Sequence, residues 1–80
     1  MNAISVENGE TPNGNKYVEF RVAGKKRRVI VQENHLGSWH VYVTSAYGGA
    51  VVSTLASFFT PERELAVTFG RGVAEGLRLA

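Results

Sequence analysis

The chain contains no cysteine and no aspartate. Without cysteine there is no disulfide framework and no thiolate metal site to supplement the core. That suits a reducing compartment, and a cytoplasmic location is the expectation. Without aspartate, seven glutamates make up the whole acidic complement against nine Lys and Arg residues. Catalytic groups are correspondingly few. The histidines are His35 and His40. A Ser38–His40–Glu33 trio is possible in composition, but no nucleophile motif frames it. No third ligand at a supporting spacing accompanies the two histidines, so neither a metal nor a cofactor is expected. Both histidines read as ordinary loop or surface-strand side chains. No apolar run approaches the roughly 20 residues of a membrane span. The start, Met1-Asn2-Ala3-Ile4-Ser5, has neither the basic nor the apolar region of a signal peptide. The expectation is a complete, self-standing, non-enzymatic chain with no membrane partner.

What is present is the composition of a folded protein. Of 80 residues, 44% are hydrophobic and 20% charged, which fits one globular domain over 1–80 rather than a disordered segment. A domain this small buries only about 60% of the surface its unfolded chain exposes, so the core is small. The net charge is +2 although the isoelectric point is near 9.3. The basic character is therefore local.

Residues 1–15 read as a short edge strand, Ala3 to Glu7, followed by a flexible Asn/Gly-rich loop over 8–15 (NGETPNGN). Residues 16–59 read as an antiparallel sheet. In Lys16–Ala23, Val18, Phe20 and Val22 face one way and Tyr17, Glu19 and Arg21 the other. Gly24-Lys25 makes a tight turn. Arg27–Glu33 follows, with Val29 and Val31 inward and Arg28 and Gln32 outward; Ile30 breaks the alternation on the polar side. Trp39–Ser45 is the third long strand, with Trp39, Val41 and Val43 inward and His40, Tyr42 and Thr44 outward. Ala46-Tyr47-Gly48-Gly49 signals another turn. Ala50–Phe59 fits two patterns: Val51, Leu55 and Phe58 make a helical stripe, while the β-branched start and the flanking Gly-Gly and Thr-Pro favour a strand, and a strand is the expectation.

Residues 61–79 read as a helix. Thr60 is placed to cap it, Pro61 suits the first turn, and Glu62 and Glu64 suit the positive end of the dipole. Leu65, Phe69, Val73 and Leu77 form a stripe shared by Gly72 and Gly76. Each interior glycine costs about 1 kcal/mol against alanine, so the pattern predicts that these two glycines let the helix approach the sheet. Gly70-Arg71-Gly72 with Gly76 has the wrong spacing, and the wrong place inside a helix, for a phosphate-cradling loop. Arg63, Arg71, Arg78, Glu64 and Glu75 fall on the opposite, solvated side. The predicted fold is α+β: an antiparallel meander of three to four strands packed against one C-terminal helix.

The most informative feature is Lys25-Lys26-Arg27-Arg28, four consecutive basic residues at a hairpin tip. It admits three readings: a linear import signal, a solvated strand end that discourages aggregation, or a docking site for an anionic partner. With it, the outward residues Tyr17, Arg21, Gln32, His40 and Tyr42 compose a surface of cationic, aromatic and hydrogen-bonding groups. The predicted partner-binding set is Arg21, Lys25, Lys26, Arg27, Arg28, Tyr17, His40 and Tyr42.

KYVEFRVAGKKRRVIVQE followed by SFFTPEREL resembles integrase arm-binding and plant ethylene-response DNA-binding domains. That resemblance implies a three-stranded sheet in the major groove, read by Arg, Trp and Lys on its exposed face. Two features depart from it: a long stretch from Tyr47 to Phe59, and Glu19 where a carboxylate would face phosphates. In size and style the chain is also similar to small phage-encoded inhibitors of the anti-CRISPR type. That likeness implies a module that docks on a protein or ribonucleoprotein complex and blocks access of nucleic acid. The modest net charge and scarcity of catalytic groups favour the inhibitor, with DNA binding as the alternative.

Overall fold

The computed structural model describes the backbone of residues 3–45 and 51–80 and the side chains of 3–45 and 54–80. Its strands are β1 (Ile4–Glu10), β2 (Lys16–Val22), β3 (Arg28–Glu33), β4 (Ser38–Thr44) and β5 (Val51–Phe59). A 3-10 turn, Thr60–Glu62, leads into α1 (Arg63–Leu79). The five strands form one sheet in the order β1-β2-β3-β4-β5, each antiparallel to its sequence neighbour. Among the described residues, no helix is long and apolar enough to cross a membrane.

The α+β meander with a C-terminal helix is as expected, but the sheet has five strands rather than three or four. β1 is longer than predicted. It runs on to Glu10 because it pairs along the whole of β2, from Ile4↔Val22 to Glu10↔Lys16. Gly9 fits within it because the Tyr17 ring lies directly on the glycine backbone from the neighbouring strand, where any Cβ would collide with it. The segment assigned to strand over 50–59 is a strand from Val51. The turn predicted at Ala46–Gly49 lies outside the described residues. β3 begins at Arg28, not Arg27, since the turn uses Gly24 at φ 78° and a bond from the Lys25 amide to the Val22 carbonyl.

The alternating pattern places the core as predicted. Val18, Phe20, Val22, Val29, Val31, Trp39, Val41 and Val43 are buried on one face of the sheet, under α1. The phase of α1 differs from expectation. Its buried residues are Ala66, Gly70 and Ala74. A Cβ built on Gly70 would lie 2.5 Å from Val31 Cγ2 and 3.3 Å from Phe20 Cε2, whereas Gly72 and Gly76 face open space. Phe20 and Val31 fill the centre of the sheet completely, so only the smallest helix positions fit above them. The larger residues move to the flanks: Val67, Val73 and Leu77 are partly buried, and Leu65 and Phe69 are exposed, with Phe69 beside Phe58 at a ring separation of 6.0 Å.

The start of the helix is also built differently. No side chain caps α1. Glu62 instead reaches back to accept from the Phe59 amide at 2.9 Å. The Thr60 backbone is held by the β3–β4 turn, its N–H donating to the Gly37 carbonyl at 2.9 Å. Its carbonyl accepts from the Trp39 indole at 3.1 Å. These bonds pin the strand-to-helix corner onto the core.

Candidate docking surface on the open sheet face

The helix covers one face of the sheet and leaves the other open. The predicted site residues Tyr17, Arg21, Arg28, His40 and Tyr42 lie on this open face, as period-two alternation requires. The basic turn borders it.

The cations on this face are not free. Glu19 lies between Arg21 and Arg28, which are register partners on β2 and β3. Its Oε2 takes Arg21 Nε at 2.6 Å and its Oε1 takes an Arg28 guanidinium nitrogen at 3.0 Å. Glu7 on β1 approaches Arg21 at 3.9 Å. Glu19 is only 5% exposed. Its desolvation is offset by two charge-assisted bonds, one to each oxygen. The same hydrogen bond, followed by the charge of Glu19, raises the Arg21 guanidinium above its already high pKa. Two arginines and two glutamates thus form a neutral cluster.

The basic run does not act as a block either. Lys25 Nζ donates to the Ala80 carbonyl at 2.6 Å and so serves the negative end of α1. Arg28 belongs to Glu19. Lys26 and Arg27 are exposed in the connection between strands.

The rest of the face is a neutral hydrogen-bonded network. The Tyr42 phenol donates to Gln32 Oε1 at 2.6 Å. Burial, aided by the charge of Glu19, raises the Tyr42 pKa. The neutral phenol is therefore the form the fold favours, and its stabilising contribution fades as pH rises past the ordinary tyrosine value of about 10.

His40 has both ring nitrogens engaged. Asn34 Oδ1 accepts from the Leu36 and Ser38 amides at 2.9 and 3.2 Å, which fixes the side-chain orientation. Asn34 Nδ2 must then donate to His40 Nε2, at 2.6 Å. His40 Nδ1 consequently carries the proton and donates to Ser57 Oγ at 2.9 Å. Serine, histidine and asparagine adjoin, but the polarity is reversed from that of an activated nucleophile: the nitrogen beside Ser57 has no lone pair to take its proton. Ser38 and Glu33, the partners considered in sequence, do not bond to the ring. Glu33 instead accepts from the Lys16 amide at 3.1 Å. His35 is exposed in the β3–β4 turn, and no metal-holding cluster of His and Glu exists among the described residues.

A depression of about 300 Å³ opens beside His40 and Tyr42, bounded also by Gln32, Asn34 and Thr54. Toward β5 the face becomes apolar, with Leu55 44% and Phe59 73% exposed. Leu55, Phe59, Asn34 and Ser57 also belong to this face, outside the set that the sequence pattern marks. The Asn34 turn bonds had a local signal, an asparagine two and four residues ahead of the amides it binds. The contacts to His40 had none, because the one from Asn34 depends on the β3–β4 hairpin and the one from Ser57 on β4–β5 register. Comparison with known proteins finds no matching family model, no similar curated sequence and no similar solved structure.

Proposed function

We propose that this chain is a non-enzymatic docking module that binds a partner protein, or the protein part of a ribonucleoprotein complex, through the open sheet face and acts by blocking, as an inhibitor of the anti-CRISPR style would. The observation that carries this reading is the buried Glu19 carboxylate, which pairs with both arginines that a DNA-reading sheet would present to phosphates, while Glu7 supplies the second negative charge. What the face offers instead is an aromatic and hydrogen-bonding surface with Phe59 and Leu55 exposed at its β5 side. Such groups form protein hot spots. Lys26 and Arg27 lie at the rim, where charge acts mainly on association rate and salt sensitivity.

The test uses Glu19→Gln. Wild type should not bind a short DNA duplex appreciably at physiological salt, whereas the variant, with one negative charge fewer between two arginines, should bind more tightly. Its added affinity should fall as salt rises. In affinity capture from host lysate, Phe59→Ser should lose the partner while the basic-rim pair Lys26→Glu/Arg27→Glu should weaken capture mainly at low salt. Tight, steeply salt-dependent DNA binding by wild type would instead favour the major-groove reading.

A further inference from the structure

The two edges of the sheet are not equivalent. Against β5, the pairing is irregular at Val41/Tyr42 and at Val43/Thr44. Its Phe59 amide is already taken by Glu62. Bulges and side-chain plugs of this kind blunt an edge. Along β1 the register with β2 runs without a break over all seven residues. The Ala23 amide donates to the Ala3 carbonyl. By alternation, the backbone groups of Ser5, Glu7 and Gly9 also point to β2, and those of Ile4, Val6, Asn8 and Glu10 point away from the sheet. β1 therefore presents a straight row of open donors and acceptors.

Beside that row, on the helix side of the sheet, lies a groove of about 350 Å³ lined by Ala3, Ile4, Val6, Arg71, Glu75 and Arg78. It is a different place from the open face described above. Arg78 Nε is bonded to Glu75 at 2.8 Å. Arg71 rests over the Phe20 ring, 5.5 Å from its centroid. No carboxylate lies within ion-pair reach of Arg71 among the described residues. The groove holds two cations to one anion, and the stacked guanidinium is oriented in advance for a carboxylate.

We infer that the β1 edge and the adjoining flank of α1 take an extended acidic segment of the partner protein, which adds as a sixth strand and places its carboxylates on Arg71 and Arg78. This inference rests on the protein-docking reading and names the partner's chemistry. Strand addition supplies affinity through main-chain bonds and specificity through alternate side chains. The arginines are seven residues apart on α1, about 10 Å along its axis. Carboxylates two or four residues apart on one face of a strand are separated by about 7 or 13 Å, which brackets that distance. The other face of β1 carries Glu7, which repels acidic residues there. The preferred segment therefore alternates acidic with neutral residues. A nucleic acid supplies negative charge but no strand of backbone donors and acceptors.

The probe is a synthetic peptide alternating glutamate with valine, titrated into isotope-labelled protein and followed by NMR. Amide shifts are expected at Ile4, Val6, Asn8 and Glu10, with a shift of the Arg71 side-chain Nε–H. Arg71→Gln/Arg78→Gln should weaken the peptide by about tenfold or more, since two charge-assisted contacts are lost. Val6→Pro removes an outward N–H at an edge, where proline is tolerated, and should abolish binding while keeping the spectrum of a folded sheet. The double arginine variant leaves the strand backbone untouched, so it carries the test alone if Val6→Pro misfolds. Wild-type affinity in a folded Val6→Pro, equal binding of a glutamine-for-glutamate peptide, or equal shifts produced by a single-stranded oligonucleotide would each overturn the inference. A negative result here with no DNA binding by wild type leaves the open-face reading standing, so the two failures are distinguishable.

Discussion

Gly70→Leu is expected to remove a large share of the protein's stability and to lower its urea midpoint sharply. The Cβ alone would stand 2.5 Å from Val31 Cγ2, and Val31 has no room to yield because it is fully buried. Overpacking of this kind costs typically about 1–3 kcal/mol, and a whole leucine side chain belongs at or beyond the upper end. An 80-residue domain has only about 4–12 kcal/mol in total at the usual stability per residue. Gly72→Ala and Gly76→Ala should do the reverse. Both positions face open space in a helix, so each alanine should add roughly 0.5–1 kcal/mol through helix propensity. Urea denaturation of the three variants checks the helix phase directly. If Gly70→Leu unfolds at the wild-type midpoint, α1 does not meet the sheet along Ala66, Gly70 and Ala74.

Trp39→Ala should be comparably severe. The ring is buried against the sheet core, its indole N–H bonds to the Thr60 carbonyl, and the Arg63 guanidinium lies 5.8 Å from its centroid. Truncating a buried Trp costs about 3–5 kcal/mol. Here it also releases the bond that holds the β5–α1 corner. Trp39→Phe keeps most of the apolar contact and should cost less, the lost hydrogen bond contributing on the order of 1 kcal/mol. Denaturant midpoints measure both. Partner binding by Trp39→Ala should fall only in proportion to the fraction unfolded. A folded, stable Trp39→Ala that fails to bind would move Trp39 from the core to the docking surface.

Strand interiors were legible because burial on a sheet has period two, and Val18-Phe20-Val22, Val29-Val31 and Trp39-Val41-Val43 obey it. The helix was legible in extent but not in phase. Leu65, Phe69, Val73 and Leu77 form the more apolar stripe, yet space above Phe20 and Val31 selected Ala66, Gly70 and Ala74. That competition lies between two elements distant in sequence, so no local pattern contains it. The open-face residues were legible as a set, since alternation puts Tyr17, Arg21, His40 and Tyr42 outward. Their availability was not. Whether Arg28 meets Glu19 is decided by β2–β3 register, and whether Lys25 meets Ala80 by where the helix ends. Ile30, the one break in the pattern, proved informative: it stands between Glu19 and Tyr42 in register, where the polar side of the sheet is partly covered.

Placing each strand beside its sequence neighbour also shapes how the chain acquires its structure. Every strand pairing closes a short loop, so the sheet can assemble by successive hairpins, each on the microsecond scale typical of such events. Low contact order of this kind favours rapid folding for an all-antiparallel sheet. The long-range steps are left to α1, whose docking joins positions as far apart as Lys25 and Ala80. Until the helix docks, the valine-rich face of the sheet is bare. Anything that displaces α1 therefore bares a valine-rich surface and exposes the chain to aggregation.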